Sequence, residues 1–155
     1  MSLDTDIALL QGIPTLRVLG EDALRILAIG AENRQIEERE VLFHVGEPAD
    51  AGYMIQRGSF TLTPPEADRR KPVTVGAGTL LGELALLSET ARPATATALT
   101  TSSLIRIPRK LFHKVLDSNP DAARRLRDFI AHRTEQMTRE MINVRAALGA
   151  TNMLG

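Results

Sequence analysis

The feature that most constrains this chain is a run of short β-prone segments between residues 33 and 107, each cut off by glycine or proline before it reaches helical length. Val41, Phe43 and Val45 alternate with Leu42 and His44, and the turn chemistry of Gly46-Glu47-Pro48-Ala49-Asp50 follows. Tyr53-Met54-Ile55 ends at Gly58. Phe60 and Leu62 alternate with threonines until Pro64–Pro65, and Val73 and Val75 resume after a polar, proline-rich loop over residues 64–72. The stretch from Thr95 to Ile107 is rich in β-branched residues. Segments this short bury apolar surface only by joining sheets, so the pattern predicts a β-sandwich or barrel.

Both ends read as helix. Gly20-Glu21-Asp22 ahead of Ala23-Leu24-Arg25-Ile26-Leu27 places acidic side chains at the positive end of a helix that Gly30 closes. Pro108 opens a helix carrying Leu111, Phe112, Val115 and Leu116, and Asn119-Pro120-Asp121 reads as the cap and first turn of a long final one. The apolar stripe of that helix runs through Leu126, Ile130, Met137, Met141, Val144 and Leu148. Leu126, Met137 and Leu148 share a register, the spacing of a nearly straight paired helix. A stripe longer than one small barrel can cover predicts a homodimer through this helix; the alternative is a helix folded back on its own barrel. Residues 1–118 are expected to form the β-domain with its N-terminal helices, and 119–155 the C-terminal helix and a tail.

Composition narrows the function. The 19 basic and 19 acidic side chains cancel, which argues against direct binding of nucleic acid. Aromatic residues make up 3% of the chain, too few for a base-stacking platform. There is no cysteine, which excludes disulfides and thiolate chemistry. His44, His113 and His132 fall on different segments, so no metal site is expected. The chain lacks a G-x-S-x-G elbow and a phosphate loop ending in Gly-Lys-Ser/Thr, and no enzyme is expected. No stretch has the length and apolarity of a membrane span, and residues 1–6 lack a signal-peptide layout, so the expected location is the cytoplasm.

The chemistry concentrates in Gly82-Glu83-Leu84-Ala85-Leu86-Leu87-Ser88-Glu89-Thr90-Ala91-Arg92-Pro93-Ala94-Thr95. Its opening favours a short helix. Gly82 lets a ligand approach the backbone. Arg92, one loop later, carries a planar fork able to take two phosphate oxygens, and Glu83 offers an acceptor for sugar hydroxyls. Taken from the residues alone, this reads either as a nucleotide monophosphate site or as a plain surface ion pair between Glu83 and Arg92.

The stretch Leu81-Gly82-Glu83-Leu84-Ala85-Leu86-Leu87, followed by Arg92-Pro93-Ala94-Thr95, resembles the phosphate-binding cassette of the cyclic-nucleotide-binding family, to which the catabolite activator protein and the regulatory subunit of cAMP-dependent protein kinase belong. Gly46-Glu47-Pro48-Ala49-Asp50 and Arg57-Gly58-Ser59-Phe60 resemble the family's glycine turns. The resemblance implies a mostly β fold with flanking helices: a double-stranded β-helix (a jelly-roll-like β-roll) with N-terminal helices and a long C-terminal helix.

It also implies a regulatory sensor for cyclic AMP or cyclic GMP. Glu83 would accept from the ribose 2′-hydroxyl and Arg92 would pair with the exocyclic phosphate oxygens. Gly82 and the amides of Leu84 and Ala85 would lie at the phosphate and ribose, with Pro93, Ala94 and Thr95 completing the cassette. Met137 and Thr138 on the final helix would face the base. Pro93 departs from the family's small or hydroxyl-bearing residue and removes one amide. The missing threonine there leans the expectation toward cyclic AMP. The same residues admit a degenerate, non-binding fold used for dimerisation or docking, and the sensor part of a transcription regulator without its helix-turn-helix.

Overall fold

The computed structural model describes the backbone of residues 2–154, and the side chains of residues 2–136 and 139. Three helices open it: α1 (Leu3–Gln11), α2 (Pro14–Arg17) and α3 (Glu21–Gly30). Ten strands follow, interrupted by one short helix. They are β1 (Glu32–Ile36), β2 (Val41–Phe43), β3 (Pro48–Ala49), β4 (Ala51–Arg57), β5 (Ser59–Thr63), β6 (Val73–Gly76), β7 (Leu80–Leu81), then α4 (Glu83–Leu87), β8 (Thr90–Ala91), β9 (Thr95–Ala98) and β10 (Ser102–Pro108). Helices α5 (Arg109–Ser118) and α6 (Pro120–Leu154) close the chain.

The strands form two antiparallel four-stranded sheets, ordered β1-β10-β4-β7 and β2-β9-β5-β6, with β3 and β8 paired as a separate ribbon. This is the mostly antiparallel β-roll with flanking helices that the sequence predicts. Between the sheets lie Ile36, Phe43, Tyr53, Ile55, Phe60, Leu81 and Leu104. The outer face of the first sheet carries a second core. There Met54, Ile105 and Ile107 pack with Leu10, Leu16, Leu24 and Leu27 of the N-terminal helices and with Phe112, Val115 and Leu126 of α5 and α6.

Strand alternation explains why one strand serves both cores. Successive side chains of β4 point to opposite faces, so Tyr53 and Ile55 enter the inter-sheet core while Met54 joins the helical layer. Met54 stands opposite Ile105 across the β4–β10 ladder, on the same face. Burial on both faces is why residues 51–56 are all buried and read as one continuous apolar run.

Three local differences from the sequence reading have simple causes. Strand β1 is polar, with four of its five residues exposed, so it carries no apolar signal; its pairing with β10 alone forms it. Pro14, of a type that breaks helices from within, occupies the first turn of α2, where its missing amide costs nothing. Leu126 and Ile130 belong to the core that the helices make with their own sheet, so the beginning of the stripe on α6 folds back within the chain. Arg125 fixes that docking by donating to the carbonyls of Val18 (2.8 Å) and Leu19 (2.7 Å). Met137, Met141, Val144 and Leu148 lie outside the residues whose side chains are described.

Phe60 is fully buried between the sheets. Phe60→Ala is expected to cost about 3–5 kcal/mol of stability, read as a lowered urea midpoint with little change in slope.

Candidate functional site

Glycine begins the site. Gly82 ends the β7 segment in a left-handed conformation, φ +82°, and caps α4. A β-carbon there would stand 2.5 Å from Arg92 Nη1 and 3.2 Å from the Ala51 carbonyl. Glycine is therefore required twice, by its dihedral angle and by the guanidinium lying against it. The amides of Glu83 and Leu84, in the first turn of α4, have no intrahelical acceptor, whereas the Ala85 amide donates to the Gly82 carbonyl (3.0 Å). Of the two amides the sequence assigns to the ligand, the Ala85 one is already committed within the loop.

Arg92 arrives from the opposite side. Strand β8 pairs with β3 in register Pro48–Ala91 and Ala49–Thr90. Immediately beyond it, the Arg92 amide donates to the Glu47 carbonyl (2.8 Å) and the Arg92 carbonyl accepts from the Gly46 amide (2.8 Å). With its backbone pinned at both atoms, the side chain turns inward and is 4% exposed. Its guanidinium carbon sits 4.3 Å from the ring centre of Phe43 and 5.4 Å from that of Tyr53. Nη2 donates to the Ala51 carbonyl (2.9 Å).

Nη1 is buried and has no hydrogen-bond partner among the described residues. Nor does any described carboxylate form an ion pair with Arg92. Burial pushes its pKa below the ordinary arginine value, while the nearby Tyr53, Asp50 and Glu47 pull the other way. Arginine stays charged nonetheless. A buried cation with an orphaned donor is a costly arrangement, and an oxyanion laid against Nη1 is what it lacks.

A cavity of about 270 Å³ opens at this point, lined by Gly82, Glu83, Leu84, Ala85, Arg92, Pro93 and Ala94, with Phe43, Ala49, Leu62, Leu81, Thr90 and Ala91 completing its wall. Seven of the residues assigned to the ligand from sequence thus meet around one space. Thr95 is not among them: its hydroxyl accepts from the Val45 amide (3.0 Å) and ties β9 to the turn after β2. Met137 and Thr138 lie outside the residues whose side chains are described. The apolar wall of Phe43, Leu62 and Leu81 escapes the sequence reading because these side chains pattern as ordinary strand core.

Glu83 and Arg92 do not pair with each other. Glu83 Oε1 instead accepts from the Thr15 hydroxyl of α2 and from Arg133 of α6, the latter at 3.4 Å. That removes the surface ion pair as a reading of these two residues. Thr15 and Arg133 stand far from the cassette in sequence, and no local signal marks them.

A buried arginine with an unpaired Nη1 lies beside Gly82 and lines a cavity of the two-sheet roll, the arrangement of a candidate anion subsite. The chain belongs to the cyclic nucleotide-binding domain family, whose pattern it matches over residues 33–119. It is 31% identical over 111 residues to an uncharacterised NTE family protein of Mycobacterium bovis, covering 72% of this chain and 19% of that protein. It is 30% identical over 115 residues to a cyclic nucleotide-gated potassium channel of Mesorhizobium japonicum, covering 74% of this chain and 31% of the channel. The chain thus spans less than a third of either relative's length. Among solved structures, the N-terminal domain of a transcriptional regulator from Streptomyces coelicolor A3(2) superposes with a TM-score of 0.77 at 27% identity, covering 86% of this chain and 94% of that one. Among the described residues no helix is long and apolar enough to cross a membrane.

Gly82→Ala is expected to cost about 1–3 kcal/mol, from left-handed strain at a non-glycine residue and from displacement of Arg92. Thermal unfolding in phosphate-free buffer measures it.

Proposed function

We propose that this chain is a cyclic AMP sensor, a regulatory module without catalysis of its own. The observation that carries this reading is the orphaned Arg92 Nη1, buried against Gly82 in a side chain that lines the cavity. The exocyclic phosphate supplies the missing acceptor and the missing negative charge together. The amides of Glu83 and Leu84, which lack intrahelical acceptors, are available to the same anion, and Glu83 takes the ribose 2′-hydroxyl. Pro93 offers no amide to the phosphate and no hydroxyl to a guanine, which favours adenine over guanine. The apolar wall of Phe43, Leu62 and Leu81 suits the ribose and the edge of the base.

Binding passes to the C-terminal helices through Arg109, the first residue of α5. Its Nη1 donates to the carbonyls of Ala49 (2.8 Å), Ala85 (3.1 Å) and Ser88 (3.2 Å). One guanidinium therefore joins β3, α4 and the cassette loop to the start of the segment 109–154. A ligand that prefers one placement of α4 shifts α5 and α6 in proportion to that preference. The output is a changed homodimer or partner contact through α6 in the cytoplasm, without direct contact to nucleic acid or membrane.

Calorimetric titration tests the ligand. Cyclic AMP is expected to bind at micromolar concentration or better and more tightly than cyclic GMP, and Arg92→Met is expected to weaken it about 100-fold or more, since it removes charge-assisted bonds to phosphate. No binding of either nucleotide by the intact protein would leave a docking module instead. Hydrogen exchange over residues 108–148 tests the coupling: protection is expected to change at saturating cyclic AMP, and an unaltered pattern would reject it.

A further inference from the structure

Glu83 stands between two spaces. It lines the cavity that contains Arg92, and it also lines a second hollow with Thr15, Leu84, Leu87, Ile130, Arg133 and Thr134. Both donors to its carboxylate come from that second side, and both reach Oε1. Thr15 is 2% exposed, and Arg133 Nη1 lies within reach of its hydroxyl as well, at 3.3 Å. The three side chains form one cluster in which the N-terminal α2, the cassette helix α4 and the C-terminal α6 converge on a single oxygen. No described hydrogen bond uses Oε2.

We infer that Thr15 is a positioning residue for ribose recognition, joining Arg133 in holding Glu83 by Oε1 so that Oε2 is presented to the ligand's 2′-hydroxyl. The inference rests on the cyclic nucleotide reading above. An unheld glutamate keeps three rotatable torsions, and fixing them costs free energy at the moment of binding. A carboxylate already fixed by a buried hydroxyl and a guanidinium has lost that freedom beforehand. Both holding residues fall outside residues 33–119, the stretch that matches the family. Selectivity for the ribose hydroxyl is therefore supplied by segments that flank the β-roll, and an event that moves α2 or α6 changes that selectivity without touching the phosphate subsite. Linkage makes the relation reciprocal: a ligand bearing the hydroxyl tightens the hold of α4 on both helices, and one lacking it does not.

The test compares cyclic AMP with 2′-deoxy cyclic AMP on the same preparations of the intact protein, Thr15→Val, Thr15→Ser and Arg133→Gln. Valine keeps the volume of the buried side chain, and the deoxy ligand reports folding and the phosphate subsite in each variant. The intact protein is expected to prefer cyclic AMP about tenfold or more, as for a hydrogen bond to a charged group. Thr15→Val is expected to remove most of that preference by weakening cyclic AMP alone, and Thr15→Ser to restore it. Arg133→Gln, at a half-exposed pair, is expected to cost about threefold.

An unchanged ratio in Thr15→Val, or tighter cyclic AMP binding because Thr15 competes with the ribose, overturns the inference. So does an intact protein that fails to distinguish the two ligands, which removes Glu83 as the ribose acceptor. If the intact protein binds neither cyclic AMP nor cyclic GMP, the cyclic nucleotide reading itself fails, an outcome distinct from a ligand that binds with an unaltered ratio.

Discussion

The unpaired burial of Arg92 is the constraint around which the roll is organised. A guanidinium removed from water loses hydration that two ring faces and one carbonyl only partly replace. Phe43 lies at 4.3 Å, near enough for a cation–π attraction of about 1–2 kcal/mol, and the Ala51 carbonyl takes one of five N–H groups. The remaining deficit is concentrated at Nη1. A fold that only needed a stable core would gain by replacing this side chain with an apolar one of similar volume. Its retention in the pocket wall, with glycine at the one place where a β-carbon would push it away, is intelligible as preparation for an anion.

That preparation needs rigidity in the loop, and the smallest sheet supplies it. The β3–β8 ribbon contains two residue pairs, yet it fixes the direction from which Arg92 enters. Its two flanking hydrogen bonds, between residue 92 and residues 46 and 47, make the turn after β2 and the end of the cassette one unit. Thr95 adds a third tie through the Val45 amide. The turn Gly46-Glu47-Pro48-Ala49-Asp50 and the stretch Ala91-Arg92-Pro93 are separated by forty residues of chain and act as a single clamp. The placement of Arg92 is thus a property of strand pairing, and the proposed phosphate subsite rests on it.

How much of this the sequence discloses follows from the range of each interaction. Strands buried on one or both faces announce themselves by apolar alternation, and the cassette announces itself by the order Gly-Glu-Leu-Ala ahead of Arg92. Strand β1 is legible only from its partner, because an exposed edge carries no apolar period. The ribbon is too short to have one. Thr95 belongs to the cassette by sequence but serves the strands by geometry. The early part of the α6 stripe reads as a surface awaiting a second chain, since periodicity identifies an apolar face without identifying what covers it; here Leu16, Leu24 and Phe112 share a core with Leu126. The partners of Glu83 are the least legible of all, because Thr15 and Arg133 meet it only after both ends of the chain have packed.

These ranges also separate the two halves of the site. Arg92 and Gly82 are fixed by β-strand geometry within the roll, and among the described residues no hydrogen bond joins either to α2 or α6. Glu83 is fixed by contacts made across the roll's boundary, to helices before and after it in the chain. The proposed anion subsite reaches the helices indirectly, through Arg109 at the start of α5, while the proposed sugar side meets α2 and α6 directly. Arg109 completes the arrangement from the other direction, since it connects the loop that holds Arg92 to the first turn of α5. The proposed coupling of ligand to helices thus has two routes open to it, one through the cassette backbone and one through the carboxylate, and only the second would depend on the chemistry of the sugar.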